Sequence, residues 1–290
     1  MNLAELRVFQ AVHECGGVSQ AARRLHCVQS NVTARLKQLE ARLGVPLFTR
    51  KNRQMEITAR GRVLLAYAER LLGLADEAEL AMTGGAGLPG LLRLGAMETT
   101  AAARLPAVLS AFHQTQPKIA MQLITGPTAD IVEQVREHAV DIGFVAGPVG
   151  ALDLQEQPLW QEQLVLITER GHPPVRHARA LANRSLLVFR HGCSYRQRLE
   201  RWFAAEGVTP DVMLEFGSFQ AIAGCVAAGM GVGLLPRTAL DLLPQRAEVA
   251  AHDLPDEYAT AQTAMIWRPS NGGIHAVRLF LEHLRAGVSV

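Results

Sequence analysis

The stretch that most constrains this chain is Val18 to Leu43, VSQAARRLHCVQSNVTARLKQLEARL. Ser19 can accept from the open amides of a helix that begins at Gln20, carries the small pair Ala21 and Ala22, and closes with Leu25. A short turn follows. From about Gln29 the apolar residues recur as Val32, Leu36, Leu39 and Leu43, a spacing that lays one stripe along one side of an α-helix. The opposite side carries Gln29, Asn31, Thr33, Arg35, Lys37 and Gln38. Amides, hydroxyls and cations in such a row suit base edges and phosphates in a major groove. An ordinary surface helix also has a polar outer face, so the two helices alone leave both readings open.

The flanks narrow the choice. Val45 to Arg50 leaves the second helix after Gly44, Lys51 to Arg53 form a polar turn, and Met55 to Ile57 reads as a returning strand. That is a β-wing, with Arg50, Lys51 and Arg53 placed for phosphates. Upstream, Leu3, Leu6, Phe9 and Val12 give a scaffold helix ending near Gly16-Gly17.

The run Ala21-Ala22, Leu25-His26, Gln29, Val32-Thr33, Leu36, Leu39-Glu40, Leu43-Gly44-Val45-Pro46-Leu47-Phe48 and Arg50, followed by Ile57-Thr58 and Gly61, resembles the winged helix-turn-helix of LysR-type transcriptional regulators. One departure sits at the second helix start, where the family commonly has Ser-Gln-Pro and this chain has Val28-Gln29-Ser30. The serine cap is lost there, and Ser30 or a shifted start is its expected replacement. The resemblance implies sequence-specific binding of double-stranded DNA at an interrupted-dyad operator. Gln29, Asn31, Thr33 and Lys37 would lie near bases, and Arg35, Arg50, Lys51 and Arg53 on the backbone. Ser19 and Ser30, at the two helix starts, complete the expected contact set.

Charge is distributed accordingly. Residues 1–60 hold ten Lys or Arg against four Asp or Glu, whereas the whole chain of 290 residues is only +2. A basic head on an acidic body suits a protein with one end on phosphate. Thr58 is a good N-cap for a long helix whose face shows Leu64, Tyr67, Ala68, Leu71, Ala75 and Ala78. The resemblance makes this a linker helix that pairs subunits, implying a dimer or a tetramer of two dimers. An amphipathic helix packed on its own domain is the plainer reading.

Gly84 to Gly90, GGAGLPG, is the clearest break. Beyond it strand-like and helix-like runs alternate from Leu91 to Arg285, which predicts parallel sheets covered by helices. The chain is expected to cross near Gln163 and return near Trp267. The fold class expected is therefore multi-domain: an all-α winged helix-turn-helix N-terminal domain over 1–58, a linker helix over 59–83 and a hinge over 84–90. An α/β two-subdomain domain follows over 91–290, similar to the periplasmic-binding-protein-like effector domain of the same family. Its subdomain I would span 91–162 and 268–290, and subdomain II 163–267.

In open α/β sheets ligands collect where strands end and helix N-termini point inward. Four such junctions nominate Glu98, Thr99, Thr100, Thr128, Cys193, Ser194, Arg196, Gly217 and Ser218 as effector-binding residues. Routine capping would account for any one hydroxyl. If Glu98 and Arg196 both face inward, one holds an amine and the other a carboxylate, so an amino acid or polyamine would fit. A small polar metabolite is the broader expectation.

Other classes have less support. There is no GxSxG, HExxH or phosphate loop, and no His/Cys cluster at zinc spacing, so neither enzyme, cofactor nor metal is expected. Three lysines, Lys37, Lys51 and Lys118, leave only Lys118 outside the head for Schiff-base chemistry. Cys193, beside a helix start, makes a redox-sensing regulator the alternative function, with a small-molecule-binding enzyme fused to the head a more distant one. Four cysteines without CxxC spacing, and no apolar signal core, fit the cytoplasm. Phe216 to Pro236 holds no charge over 21 positions, but its five glycines and final proline argue for a buried helix and strand rather than a membrane span. RNA polymerase is a further candidate partner of a regulator of this kind.

Overall fold

The apolar spacing of the first sixty residues resolves into three helices around one core. The computed structural model describes residues 1–51, 54–83 and 90–287, and the chain divides between Gly90 and Leu91 into two units. Helix α1 (Leu3–Cys15) starts in a capping box, with Asn2 accepting from the Glu5 amide and Glu5 accepting from the Asn2 amide, and stops at Gly16 in the left-handed region. Helices α2 (Val18–Arg24) and α3 (Gln29–Leu43) follow. Leu6, Phe9, Val12, Ala21, Ala22, Val32, Leu36 and Leu39 are all buried together, joined by Leu47 and Phe48. Each large side chain removed from water contributes roughly 1.5–3 kcal/mol. Leu3 and Leu43, at the ends of their stripes, stay exposed.

Strands β1 (Phe48–Lys51) and β2 (Gln54–Ile57) pair antiparallel, Phe48 opposite Ile57 and Lys51 opposite Gln54. Glu40 fastens this wing to α3, its Oε1 accepting from Leu47 N at 2.7 Å and Phe48 N at 3.3 Å. The Thr58 hydroxyl accepts from Gly61 N and so opens α4 (Ala59–Thr83), as its sequence predicts. A Cβ on Gly61 would collide with Leu47 O, so only glycine lets α4 leave this close to the wing. The expected α4 face divides: Ala68 is buried in the head core and Leu64 packs against it, while Tyr67 and Leu71 are exposed; outside that face Leu72 is also buried, and Val63 and Leu74 are exposed.

The second unit alternates strand and helix: β3 (Gly90–Ala96), α5 (Glu98–Ala103), α6 (Leu105–Thr115), β4 (Ile119–Thr125), α7 (Thr128–Arg136) and β5 (Ile142–Gly147). The 15-residue β6 (Gln155–Glu169) leads to β7 (Leu186–Phe189), α8 (Ser194–Ala205), β8 (Met213–Phe216), α9 (Phe219–Ala227) and β9 (Val232–Pro236). The short α10 (Arg237–Leu240), β10 (Val249–Asp253), α11 (Asp256–Ala259), β11 (Thr260–Trp267) and α12 (His275–Gly287) close the chain. Strand order is β4-β3-β5-β11-β6-β9-β7-β8, with β10 also paired to β6.

Strand β6 belongs to two lobes. Its first part, to Gln163, pairs with β11, and from Leu164 onward it pairs with β9 and β10. Thr260, at the head of β11, already lies opposite Gln163, so the return crossing falls there and not near Trp267. The expected parallel sheets are in fact mixed: β3–β5, β7–β8 and β7–β9 are parallel, whereas β6 and β11 run antiparallel to their partners. Two crossing strands shared by both lobes impose this, because a chain that leaves one lobe and returns must run back beside itself. Phe216 to Pro236 is the buried helix and strand expected of it, and among the described residues no helix is long and apolar enough to cross a membrane.

Candidate functional site

The outer face of α3 presents Gln29, Ser30, Asn31 and Lys37 exposed, with Thr33 and Arg35 half-buried. Two of these are held in place. Thr33 Oγ1 donates to Gln29 O at 2.9 Å, and Arg35 Nε donates to Asn31 Oδ1 at 2.9 Å one turn back. The turn from α2 passes through His26 at a positive φ of 51°. Behind the face, Arg42 grips buried Glu5 with both terminal nitrogens, at 3.1 and 3.2 Å, locking α3 to α1.

Both expected serine caps fail. Helix α2 starts at Val18 with Gly17 in the cap position, leaving Ser19 exposed inside the first turn. Helix α3 starts at Gln29 behind an extended Val28, and Ser30 lies within the helix without capping it. Burial of Ala21, Ala22 and Val32 sets these starts, and no side-chain cap is needed to begin them. Arg50 and Lys51 lie on β1, in register with Met55 and Gln54. Arg53 lies outside the described residues, as do 84–89 of the expected hinge.

In the second unit the named junctions converge on one cavity of about 180 Å³ between the lobes. Met97, Glu98, Thr99 and Thr125 to Thr128 line it from one side, and Phe189, Arg190, Cys193, Tyr195, Phe216 and Gly217 from the other. Paired glycines help to seat one wall. Gly95 and Gly143 face each other on β3 and β5, and a Cβ on either would meet Ile131, so α7 settles onto a hollow with its first turn at the cavity. None of α5, α7, α8 and α9 starts with a side-chain cap hydrogen bond. Thr128 Oγ1 instead accepts from Ala146 N, and Ser218 Oγ donates to Gln220 Oε1.

Of the nine residues read from sequence, Glu98, Thr99, Thr128, Cys193 and Gly217 line the cavity. Thr100, Ser194, Arg196 and Ser218 do not. Arg196 is spoken for: its Nε donates to Glu200 at 2.8 Å and its Nη1 to Glu215 at 2.8 Å. Glu98 Oε2 accepts from Phe219 N at 3.1 Å, a bond from one lobe to the other. The pairing of Glu98 with Arg196 that favoured an amino acid or polyamine is therefore not formed. Burial pushes the Glu98 carboxyl above its ordinary pKa, and the bond from the Phe219 amide, with the nearby Ser218 hydroxyl, holds it back in part.

The cation of the cavity is Arg190, which sequence reasoning passed over although it follows β7 in the same junction. A Cβ on Gly217 would stand 3.2 Å from Arg190 Nη2, so the bare glycine gives the guanidinium its place. Among the described residues the Arg190 guanidinium has neither ion pair nor hydrogen bond. Thr99 Oγ1 and Tyr195 Oη are buried in the wall without a partner. Thr99 lies near enough to temper the Tyr195 pKa, but the two hydroxyls form no hydrogen bond of normal geometry. Burial raises the Tyr195 pKa strongly. Cys193 is also buried, and burial raises its pKa despite the Tyr195 and Arg196 amides. A buried thiol with a raised pKa is the reverse of the accessible, low-pKa thiol that the redox alternative calls for. Farther back, Arg104 and Thr238, from opposite lobes, both donate to buried Glu162 on β6, at 2.7 Å each.

A helix-turn-helix with a polar outer face, joined in one chain to a two-lobed α/β unit with a cleft, defines a ligand-responsive DNA-binding regulator. Residues 3–62 match the bacterial regulatory helix-turn-helix protein model of the lysR family, and residues 85–289 match the LysR substrate binding domain. The chain belongs to the LysR family of transcriptional regulators, with a DNA-binding head and an effector-binding domain. It is 36% identical over 285 residues to the HTH-type transcriptional regulator GltR of Bacillus subtilis, covering 98% of this chain and 96% of that protein. A full-length OxyR variant from Pseudomonas aeruginosa superposes with a TM-score of 0.73 at 25% identity, covering 98% of this chain and 95% of that one. Full-length CbnR in complex with its target DNA shares the fold, with a TM-score of 0.65 at 24% identity, and covers 99% of each chain.

Proposed function

We propose that α3 enters the major groove with Gln29, Asn31, Thr33 and Lys37 at base edges, while Arg35, Arg50, Lys51 and Arg53 grip phosphates on either side. Ser19 and Ser30 add contacts at the two helix starts. The observation that carries this is the pre-set outer face of α3: Arg35 holds the Asn31 side chain, and Thr33 is tied to the backbone. A reading face organised before binding loses less rotamer entropy on the duplex.

Self-association follows from α4. Val63, Tyr67, Leu71 and Leu74 recur at helical spacing and are exposed, a stripe that a second copy would cover. A dimer, or a tetramer of two dimers, would then present paired heads to an interrupted-dyad operator. The chain acts as a cytoplasmic regulator and not as an enzyme, and RNA polymerase is the partner through which such a regulator would act. A small polar metabolite in the cleft would change the relative poses of the lobes, and through the assembly the spacing of the heads. The Glu98 to Phe219 bond and the Glu162 cluster are the contacts across the cleft that such a change would work against.

The experiment is a footprint of the full chain on the duplex upstream of its own coding sequence, repeated with Asn31→Ala. The variant should lose protection of that site while keeping weak, salt-sensitive binding to any duplex. Equal loss on all duplexes would place Asn31 off the bases.

A further inference from the structure

We infer that the cleft selects a small monocarboxylate carrying one further oxygen, a hydroxy or oxo acid, with Arg190 on the carboxylate and the Tyr195 and Thr99 hydroxyls on the other oxygen. This deepens the effector reading above and rests on it.

Size comes first. The cavity of about 180 Å³ compares with a cavity of about 150 Å³ that takes benzene, so its occupant has on the order of seven to nine non-hydrogen atoms. Met97, Phe189 and Phe216 supply apolar wall for a short carbon body. Charge comes second. Arg190 brings an unpaired guanidinium, while Glu98 is already held by the Phe219 amide. One ligand carboxylate answers Arg190, and a second would stand in the same small space as Glu98. An amine would find one Glu98 oxygen already bonded to the Phe219 amide and would be repelled by the Arg190 guanidinium across the same small space.

The further oxygen follows from the wall. Tyr195 and Thr99 are 2% and 3% exposed, and both hydroxyl oxygens lack a partner. A buried polar group left unpaired costs about 1–3 kcal/mol, which a ligand oxygen accepting from it would recover. Because burial keeps the Tyr195 hydroxyl protonated, it donates, and a hydroxyl or carbonyl oxygen is the matching acceptor. Thr99, in the first turn of α5, and Tyr195, in the first turn of α8, come from opposite lobes. A single ligand oxygen between them would bridge the cleft.

The test is calorimetric titration of the full-length protein with 2-hydroxy-3-methylbutanoate, 2-oxo-3-methylbutanoate, plain 3-methylbutanoate, 3-methylbutanamide and 2-methylpropan-1-amine. The two oxygenated acids should bind roughly tenfold or more tighter than the plain acid, with the amide and amine weaker still. Arg190→Gln should weaken all the acids by about 10–100-fold. Tyr195→Phe, which removes an unpartnered hydroxyl, should leave thermal stability unchanged or higher while bringing the oxygenated and plain acids within about twofold of each other. Tightest binding by the amine or the amide would overturn the inference, as would binding by none of the acids, or an equal loss for both kinds of acid in Tyr195→Phe. Operator binding measured with and without the tightest probe separates the two claims. An amine that releases or tightens DNA leaves the effector reading standing without this ligand class, and an oxygenated acid that binds but leaves DNA affinity unmoved does the reverse.

Discussion

Gly61 and His252 show how single positions hold each unit together. A methyl group on Gly61 would collide with Leu47 O and would stand 2.6 Å from Ile57 Cγ1, and the first of these is backbone. Gly61→Ala should therefore destabilise the head by about 3 kcal/mol or somewhat more. Hydrogen exchange of the α1 and α3 amides is the readout, since the three tryptophans, Trp160, Trp202 and Trp267, all lie in the other unit. Unchanged protection would show that α4 can shift away from the wing. His252 Nδ1 accepts from Val175 N at 3.2 Å and its Nε2 lies 2.8 Å from Thr168 Oγ1, which fixes a neutral ring with its proton on Nε2. Burial, with nearby His172, lowers its pKa. The unfolded chain then takes up more protons, so stability should be full well above roughly pH 6.5 and fall as pH drops through that value toward the lower folded one. Urea midpoints between about pH 7.5 and 5 should show this slope, and His252→Gln should flatten it. A slope identical in both proteins would remove His252 from the account.

At the scale of elements, α4 carries the next prediction. Ala68 and Leu72 are committed to the head core, and Val63, Leu71 and Leu74, with Tyr67 beside them, form the exposed side of α4 proposed to meet a second copy. Tyr67→Glu with Leu71→Glu should shift sedimentation equilibrium toward the monomer without unfolding the head, and an unchanged mass would contradict the pairing role. Elements with one strong period were legible in the sequence, and those whose role is set by distant partners were not. The stripe of Val32, Leu36 and Leu39 on α3 is a case of the first kind. Strand β6 is a case of the second. Its opening residues, QEQPLWQEQ, are largely polar and contain Pro158, because the strand passes between lobes beside a β11 whose register shifts at Thr263/Ala264. The start of α2 was misjudged at Ser19, where burial overrode capping, whereas the α3 start at Gln29 was legible although Ser30 does not cap it. In the cleft the junctions themselves were legible, since strand ends followed by helix starts are local patterns. The choice of cation was only half so: Glu200 lies four residues after Arg196 and the pairing could have been read, but Glu215 comes from another element.

For the whole molecule, two units with opposite charge balance are joined in one chain, and regulation requires that the cleft of one alter the grip of the other on DNA. Arg104, Glu162 and Thr238 tie the lobes where β6 crosses, and Glu98 ties them again at the cavity, so a ligand acts against identifiable bonds. Removing the Glu98 contact with Glu98→Ala should change operator affinity in the absence of any ligand, by about two- to tenfold for one hydrogen bond, as fluorescence anisotropy of a labelled operator would record. No change would mean that the bond carries none of the coupling. The most direct test of the central claim is that same anisotropy titration with the unmodified chain, on its own upstream duplex and on a shuffled duplex of equal length, across a series of salt concentrations. Binding to the upstream duplex should be tighter at every salt, with affinity for both duplexes falling steeply as salt rises. Equal affinity for the two duplexes would contradict that claim.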